Sequence, residues 1–148
     1  MKKLLIILFI SSTSHADIKW LNPSKVSCDE NGGKIAKGES ICMSEWAKAK
    51  DICKAIGGRL PTLDELKDVI TKCGGTLDAR EENSKNISFK TCCKESGFST
   101  QYFYWSSDRF IKASVAAWNV NFEQGYASIA NKYYSVYVRC VDSSNTTK

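Results

Sequence analysis

Seven cysteines constrain the fold of this 148-residue chain more than any other feature of its sequence. They are Cys28, Cys42, Cys53, Cys73, Cys92, Cys93 and Cys140. In an oxidising compartment, seven cysteines predict three disulfides and one remaining thiol. The lack of a C-x-x-C pair argues against a zinc cluster. Many connectivities satisfy the count, so the number of cysteines alone leaves the pairing open.

The amino terminus has the pattern of a cleavable export leader. Lys2 and Lys3 precede an apolar run from Leu4 to Ile10, and a stretch of small polar residues ends at Ala16. Such a run is too short to cross a bilayer as a stable helix. We therefore expect residues 1–16 to be a signal peptide. The mature chain would be exported, periplasmic or secreted to the cell surface, without a transmembrane anchor.

Composition excludes several functional classes. The only histidine, His15, lies in the expected leader, which excludes Ser-His-Asp and Cys-His catalysis and histidine-ligated zinc in the mature chain. Loss of Lys2 and Lys3 lowers the formal charge from +5 to +3, which is too weak for a nucleic-acid footprint. We expect a protein that is not an enzyme, needs no cofactor and binds no nucleic acid.

Two amphipathic helices are predicted in the first half of the chain. Ser44 is placed to cap the first, which ends at Gly57 and has an apolar stripe at helical spacing: Trp46, Ala49, Cys53 and Ile56. Thr62 and Glu65 form a capping box for the second. It stops at Gly74, and its predicted buried face is Leu63, Leu66, Val69, Ile70 and Cys73.

Cysteines bracket two further segments. Asn31-Gly32-Gly33, between Val26–Cys28 and Lys34–Ala36, predicts a small hairpin closed by a Cys28–Cys42 disulfide. Residues 74–100 are polar and lack periodicity, which predicts a long loop pinned by a bond from Cys73 to Cys92 or Cys93.

Strand patterns dominate after residue 101. Tyr102–Ser106 predicts one strand, and Glu123–Gly125 predicts the turn between two others, the second of them Tyr126–Asn131. In the first of that pair, an apolar face alternates with a polar face: Ala116, Trp118, Val120 and Phe122 against Ala117, Asn119, Asn121 and Glu123. The predicted last strand buries Tyr134, Val136, Val138 and Cys140.

Helices followed by antiparallel strands predict the α+β class in one domain. We expect an extension over 17–41, the main domain over 42–141 and a polar tail over 142–148. Cys53 lies on the buried face of the first helix and Cys140 on that of the last strand. A bond between them would close a loop of nearly the whole domain and stabilise it by about 4 to 5 kcal/mol.

Four motifs follow one another in a recognisable order: WAKAKDICKAIGGRLPT, YWSSD, AAWNVNFEQG and YVRCV. From Cys42 to Val141 the chain resembles the C-type-lectin-like fold. It is most similar to the bacterial domain that ends a collagen-like adhesin, the Lcl C-terminal domain family. The resemblance implies two helices packed on a small twisted antiparallel sheet, with long loops and a disulfide from helix to last strand that matches Cys53 and Cys140.

The resemblance does not bring with it the chemistry known for this fold. Calcium-dependent lectins use a proline-centred loop and Trp-Asn-Asp, whereas this chain has Trp118-Asn119-Val120 and places Pro23 and Pro61 elsewhere. Losing a carboxylate ligand disables a calcium site, so no metal is expected. The fold is also similar to that of formylglycine-generating oxidases, but the matching cysteines here are expected to form disulfides.

Two groups of residues are candidates for ligand binding. Trp105, Ser107, Asp108 and Arg109 follow a strand and could present an aromatic face with polar groups, as sugar sites do. Asn119 and Asn121 could contact a ligand from the polar face of their strand. The structural alternatives are a core tryptophan beside a turn, and an ordinary solvated sheet face.

These patterns predict an exported binding module of the cell envelope that is not an enzyme. Its ligand would be a glycan or an envelope or surface protein, bound without calcium. The alternatives are a structural or assembly protein that acts through chain-to-chain contacts, and an inhibitor of an envelope enzyme. The sequence predicts no oligomeric state.

Overall fold

A computed structural model describes residues 17–35, 37–79 and 82–145. It contains four α-helices: α1 (Lys25–Glu30), α2 (Trp46–Ala55), α3 (Leu63–Lys72) and α4 (Ile87–Glu95). The expected leader and residues 146–148 lie outside the described residues. Within the described part, no helix is both long enough and apolar enough to cross a membrane.

Within the described residues, nine strands form two sheets. The strands are β1 (Trp20–Leu21), β2 (Lys34–Ile35), β3 (Cys42–Ser44), β4 (Gly58–Arg59), β5 (Phe103–Arg109), β6 (Ala116–Asn121), β7 (Tyr126–Asn131), β8 (Val136–Tyr137) and β9 (Cys140–Asp142). The larger sheet has the order β2-β3-β8-β5-β6-β7, and the smaller has β1-β9-β4. All described pairings are antiparallel except β5 with β8. The predicted α+β class is confirmed.

Both helices predicted from periodicity are present. α3 has the expected capping box, in which the Thr62 hydroxyl accepts from the Glu65 N–H and the Glu65 carboxylate accepts from the Thr62 N–H. Gly57 has the left-handed φ of +79° that the end of α2 requires. The predicted Ser44 cap is wrong: Glu45 is the N-cap residue, and Ser44 is the last residue of β3.

All three predicted disulfides are confirmed: Cys28–Cys42, Cys53–Cys140 and Cys73–Cys92. The remaining cysteine, Cys93, is a buried thiol. Burial raises the pKa of that thiol to about 12, so it stays protonated at neutral pH. The structure thereby settles which of the two adjacent cysteines is paired.

Two segments predicted to lack helix are helical. Residues Lys25–Glu30, which include one arm of the predicted hairpin, form α1, because Ser24 caps them by accepting from the Ser27 N–H. The hairpin that does form joins β2 to β3. The predicted loop over 74–100 contains α4, which Asn86 caps by accepting from the Phe89 N–H.

The carboxyl-terminal predictions need two corrections. The single predicted last strand is two short strands, β8 and β9, which belong to different sheets. Consecutive residues between them are buried, so strict alternation fails there: Tyr137, Val138, Arg139 and Cys140. The predicted polar tail begins too early, because Asp142 pairs with Gly58 and donates its N–H to the Lys19 carbonyl.

The core consists of two clusters on opposite sides of the large sheet. One packs α3 and α4 against β5 and β6, with Leu66, Ile70, Phe89, Tyr104 and Val120 fully buried. The other packs α2 against the sheet and includes Ile52, Trp105, Ala117 and two of the disulfides. Because β6 contributes to both clusters, it is covered on both faces.

Candidate functional site

A groove of about 320 Å³ crosses strands β5 to β8 of the large sheet. Nine residues line it: Tyr102, Phe103, Asn119, Ser128, Ile129, Ala130, Ser135, Val136 and Tyr137. None of them carries a charge at neutral pH. The groove therefore offers aromatic and aliphatic surface together with hydroxyl and amide groups, which suits an uncharged ligand with hydroxyls.

The strand register builds the middle of this groove. Asn119 lies opposite Trp105 on β5 and opposite Ser128 on β7. Paired residues project to the same face of a sheet, so Asn119 and Ser128 share one face across neighbouring strands. The turn at Gly125, which has a φ of +69°, fixes this register by returning the chain directly into β7.

Asn119 is the most unusual group in the groove. Its side chain is 2% exposed, yet its Oδ1 is buried without a hydrogen-bond partner. Its amide bonds to no other described residue. Burying such an acceptor without a partner costs about 1 to 3 kcal/mol.

Aromatic rings form one wall of the groove. Tyr102 and Tyr137 stack with their ring centroids 4.1 Å apart, and Phe103 beside them is 37% exposed. The Tyr102 hydroxyl donates to Glu39 Oε1 at 2.7 Å, and this bond raises the pKa of Tyr102. The hydroxyl therefore stays protonated, and the bond holds the ring against Tyr137. A fixed aromatic face suits the C–H face of a sugar ring.

The first group of predicted ligand residues is divided between the core, a helix cap and the surface. Trp105 is fully buried, and its indole N–H donates to the Ser44 carbonyl at 2.9 Å. The Asp108 carboxylate accepts from the Leu63 N–H at 2.8 Å, at the start of α3. Ser107 and Arg109 have exposed side chains, away from the groove lining. The structure gives Trp105 and Asp108 structural contacts.

The two residues of the second candidate group, Asn119 and Asn121, have different surroundings. Asn119 and Asn121 are both buried, so the alternative of a solvated sheet face is wrong. Asn121 is satisfied inside the protein: its Oδ1 accepts from the Gln124 N–H at 3.1 Å, and its Nδ2 donates to the Tyr126 hydroxyl at 3.4 Å. Only Asn119 lines the groove. The sequence did not indicate the aromatic wall, because alternation along one long last strand puts Tyr137 on the face opposite Val136 and Val138.

A second cleft, of about 560 Å³, lies beside α4. One wall is a face of that helix with Ile87, Lys90, Thr91 and Lys94, and the opposite wall is residues 39–41. Sequence reasoning missed this cleft because it treated α4 as loop. No buried polar group without a partner lines it among the described residues, which distinguishes it from the groove.

No group of three or more histidine, cysteine or carboxylate side chains lies close enough together to hold an ion among residues 17–35, 37–79 and 82–145. The groove itself contains no carboxylate.

Fold and groove together define a small α+β protein with three disulfides and an uncharged groove on its sheet. The family model of the Lcl C-terminal domain matches residues 12–142, which is nearly the whole chain. The chain belongs to that family, as the ordered motifs indicated. No curated protein matches the chain.

Proposed function

We propose that this protein is an exported binding module of the cell envelope that is not an enzyme, and that it holds its ligand in the sheet groove without calcium. The ligand is a glycan, free or carried by a surface protein. The buried Asn119 amide carries the proposal, because it lines the groove and has a hydrogen-bonding capacity that no described residue uses. A glycan hydroxyl can both donate to that amide and accept from it.

Three disulfides in a small domain support the proposed location. Such bonds persist in oxidising compartments and are rare in a reducing cytosol. The leader pattern of residues 1–16 agrees with export. The packing of α2 and α3 against the sheet, with Cys53–Cys140 joining α2 to β9, supports our proposal that the fold is C-type-lectin-like.

The groove lining also supports binding rather than catalysis. Its titratable groups are the hydroxyls of Tyr102 and Tyr137, and Tyr102 is held by Glu39. General acid–base catalysis needs a proton donor and acceptor whose pKa values lie near the working pH. The raised pKa of Tyr102 moves that residue further from this range.

Glycan binding with matched variants tests the proposal. The exported chain is applied to neutral and sulfated glycans, with and without EDTA. We expect binding to neutral glycans that EDTA does not change and that Asn119→Leu weakens at least tenfold. Asn22→Leu, the same substitution in the cleft beside α4, should bind like the wild type. Failure to bind any glycan, or loss of binding only in Asn22→Leu, would contradict the groove as the site.

A second candidate function is assembly through chain-to-chain contacts. The observation that favours it is the uncharged strand β7 at one edge of the large sheet. Three residues of β7 also line the groove: Ser128, Ile129 and Ala130.

A further inference from the structure

Exposed apolar and aromatic side chains gather at one end of the large sheet. Of the eight large ones that are exposed in the described part of the chain, four lie in two connections. Ile111 is 97% exposed and Val115 is 53% exposed, both between β5 and β6, and Tyr133 and Tyr134 are exposed just after β7. We call these four residues the apolar tip. None of them lines the sheet groove or the cleft beside α4.

The strand register holds the two connections side by side. Ala116 pairs with Asn131, so the residues just before β6 lie next to those just after β7. Lys132 joins the connections, since its N–H donates to the Val115 carbonyl at 2.8 Å and its ammonium donates to the Ser114 carbonyl. The apolar tip is therefore a preformed surface, and a partner that binds there has little to order.

The tip has basic surroundings without carboxylates from its own strands. Three cationic residues lie in or next to the two connections: Arg109, Lys112 and Lys132. Residues 109–122 and 124–141 contain no aspartate or glutamate. Glu123, between these two ranges, lies at the opposite end of β6 and β7.

The carboxylates of neighbouring elements have partners of their own. Glu45, at the start of α2, forms an ion pair with Lys48 at 3.4 Å. Asp108, just before the first connection, accepts from the Leu63 N–H at 2.8 Å. The apolar tip thus combines exposed aliphatic and tyrosine side chains with an excess of positive charge.

We propose that the apolar tip binds the surface of a bilayer rich in anionic phospholipid. Ile111 and Val115 enter the boundary between headgroups and acyl chains, and the two tyrosines lie at headgroup level, which suits a ring with a polar end. The three cations interact with the lipid phosphates. Charge favours a bilayer over a second copy of this chain, because a second copy would bring the same cations to the contact.

Vesicle sedimentation with matched variants tests the proposal. The exported chain is mixed with vesicles of phosphatidylcholine alone, or of equal parts of phosphatidylcholine and phosphatidylglycerol. Ile111→Ser changes the tip, and Ile87→Ser is its control, because Ile87 is 79% exposed on α4. Lys112→Gln removes one cation of the tip, and Lys37→Gln removes an exposed lysine elsewhere. Circular dichroism checks that each variant is folded.

We expect the wild type to bind the mixed vesicles and to bind phosphatidylcholine alone far more weakly. Added NaCl should weaken the binding, since salt screens exposed charges. Ile111→Ser should weaken it at least tenfold and Lys112→Gln about fivefold, while both controls bind like the wild type.

Two kinds of result would overturn the proposal. One is a wild type that does not bind the mixed vesicles. If such a protein formed dimers that Ile111→Ser dissociates, the tip would be a contact between copies instead. The other is equal weakening by a tip variant and its control, which would place membrane binding elsewhere on the protein.

Discussion

Two asparagines on one strand show how similar residues acquire different roles. Asn119 and Asn121 are two positions apart on β6, and both are buried. Asn121 has partners in Gln124 and Tyr126, whereas the Oδ1 of Asn119 has none. A buried polar group without a partner lowers stability, so its presence in a groove is typical of a functional position.

Replacing each asparagine by leucine should change stability in opposite directions. Asn119→Leu removes an unsatisfied amide at similar volume, so the free energy of unfolding should stay equal or rise by about 1 kcal/mol. Asn121→Leu leaves the Gln124 N–H without its acceptor and should lower that free energy by about 1 to 3 kcal/mol. Urea unfolding of both variants measures the difference. A similar loss in both would contradict the assignment of Asn119 as unsatisfied.

The sequence predicted that the two asparagines share a strand face, but not that this face is buried. Alternation of apolar and polar residues tells which residues share a face of a strand. It does not tell whether a second layer covers the polar face. Here the cluster that contains Trp105 and Ala117 covers that face, and it depends on α2 and on disulfides between distant parts of the chain.

Glu65 should make stability depend on pH in the acid range. Burial raises the pKa of its carboxyl, but bonds from Arg59 and Thr62 and the charge of Arg59 outweigh burial, so the pKa lies below its usual value. A lowered pKa stabilises the fold at pH values above the usual glutamate pKa of 4.5. This contribution is lost as the pH falls through the folded-state pKa.

Glu65→Gln tests this contribution. At about pH 7 the variant should unfold at a lower urea concentration than the wild type. The difference between their midpoint urea concentrations should disappear as the pH falls through the lowered pKa of Glu65. Glu45→Gln is the control, since the carboxylate of the half-buried Glu45 forms a partly exposed ion pair with Lys48 at 3.4 Å. A difference in midpoint between Glu65→Gln and the wild type that stays constant at all pH values would show that the charge of Glu65 does not stabilise the fold.

The start of helix α3 is stabilised by Asp108, a residue that was predicted from the sequence to bind a ligand. Thr62 caps the helix, and Asp108 on β5 accepts from the Leu63 N–H, one of the N–H groups that a helix start leaves unpaired. A carboxylate there also interacts favourably with the helix dipole. Asp108 thus joins α3 to the large sheet.

Asp108→Ala should therefore destabilise the protein without affecting glycan binding. The loss of one capping bond lowers the free energy of unfolding by about 1 kcal/mol. Arg109→Ala, at an exposed neighbour on the same strand, should change it by less than about 0.5 kcal/mol. Thermal unfolding and the glycan assay measure the two effects separately. If the folded Asp108→Ala variant no longer bound glycan, Asp108 would have to be part of the ligand site.

Local signals explain why α3 was predicted and α4 was not. α3 has a capping box, an acidic first turn and a regular apolar face, so propensity and pattern agree. α4 has an asparagine cap but only two fully buried residues, Phe89 and Cys93, on its inner face. The Cys73–Cys92 disulfide joins α4 to the end of α3. Such a long-range bond lies outside the reach of local periodicity.

At the scale of the whole molecule, the two ends of the described chain meet in one sheet. β9 lies between β1 from the amino-terminal side and β4 from the turn after α2. The segment predicted as an extension over 17–41 therefore packs as part of the domain, through β1 and through Cys28–Cys42. Pairing between distant strands has no local sequence signal, which is why this boundary could not be predicted.

The Cys53–Cys140 disulfide should contribute most to the stability of this closed arrangement. It spans 87 residues, whereas Cys73–Cys92 spans 19. In the chain-entropy model, the longer loop restricts the unfolded chain by about 4.6 kcal/mol and the shorter by about 3.2 kcal/mol. Urea unfolding of the Cys53→Ala/Cys140→Ala and Cys73→Ala/Cys92→Ala double variants measures both. The Cys53→Ala/Cys140→Ala variant should be less stable than the other by about 1.4 kcal/mol. The reverse order would mean that native contacts around α4, rather than loop length, decide what each disulfide contributes.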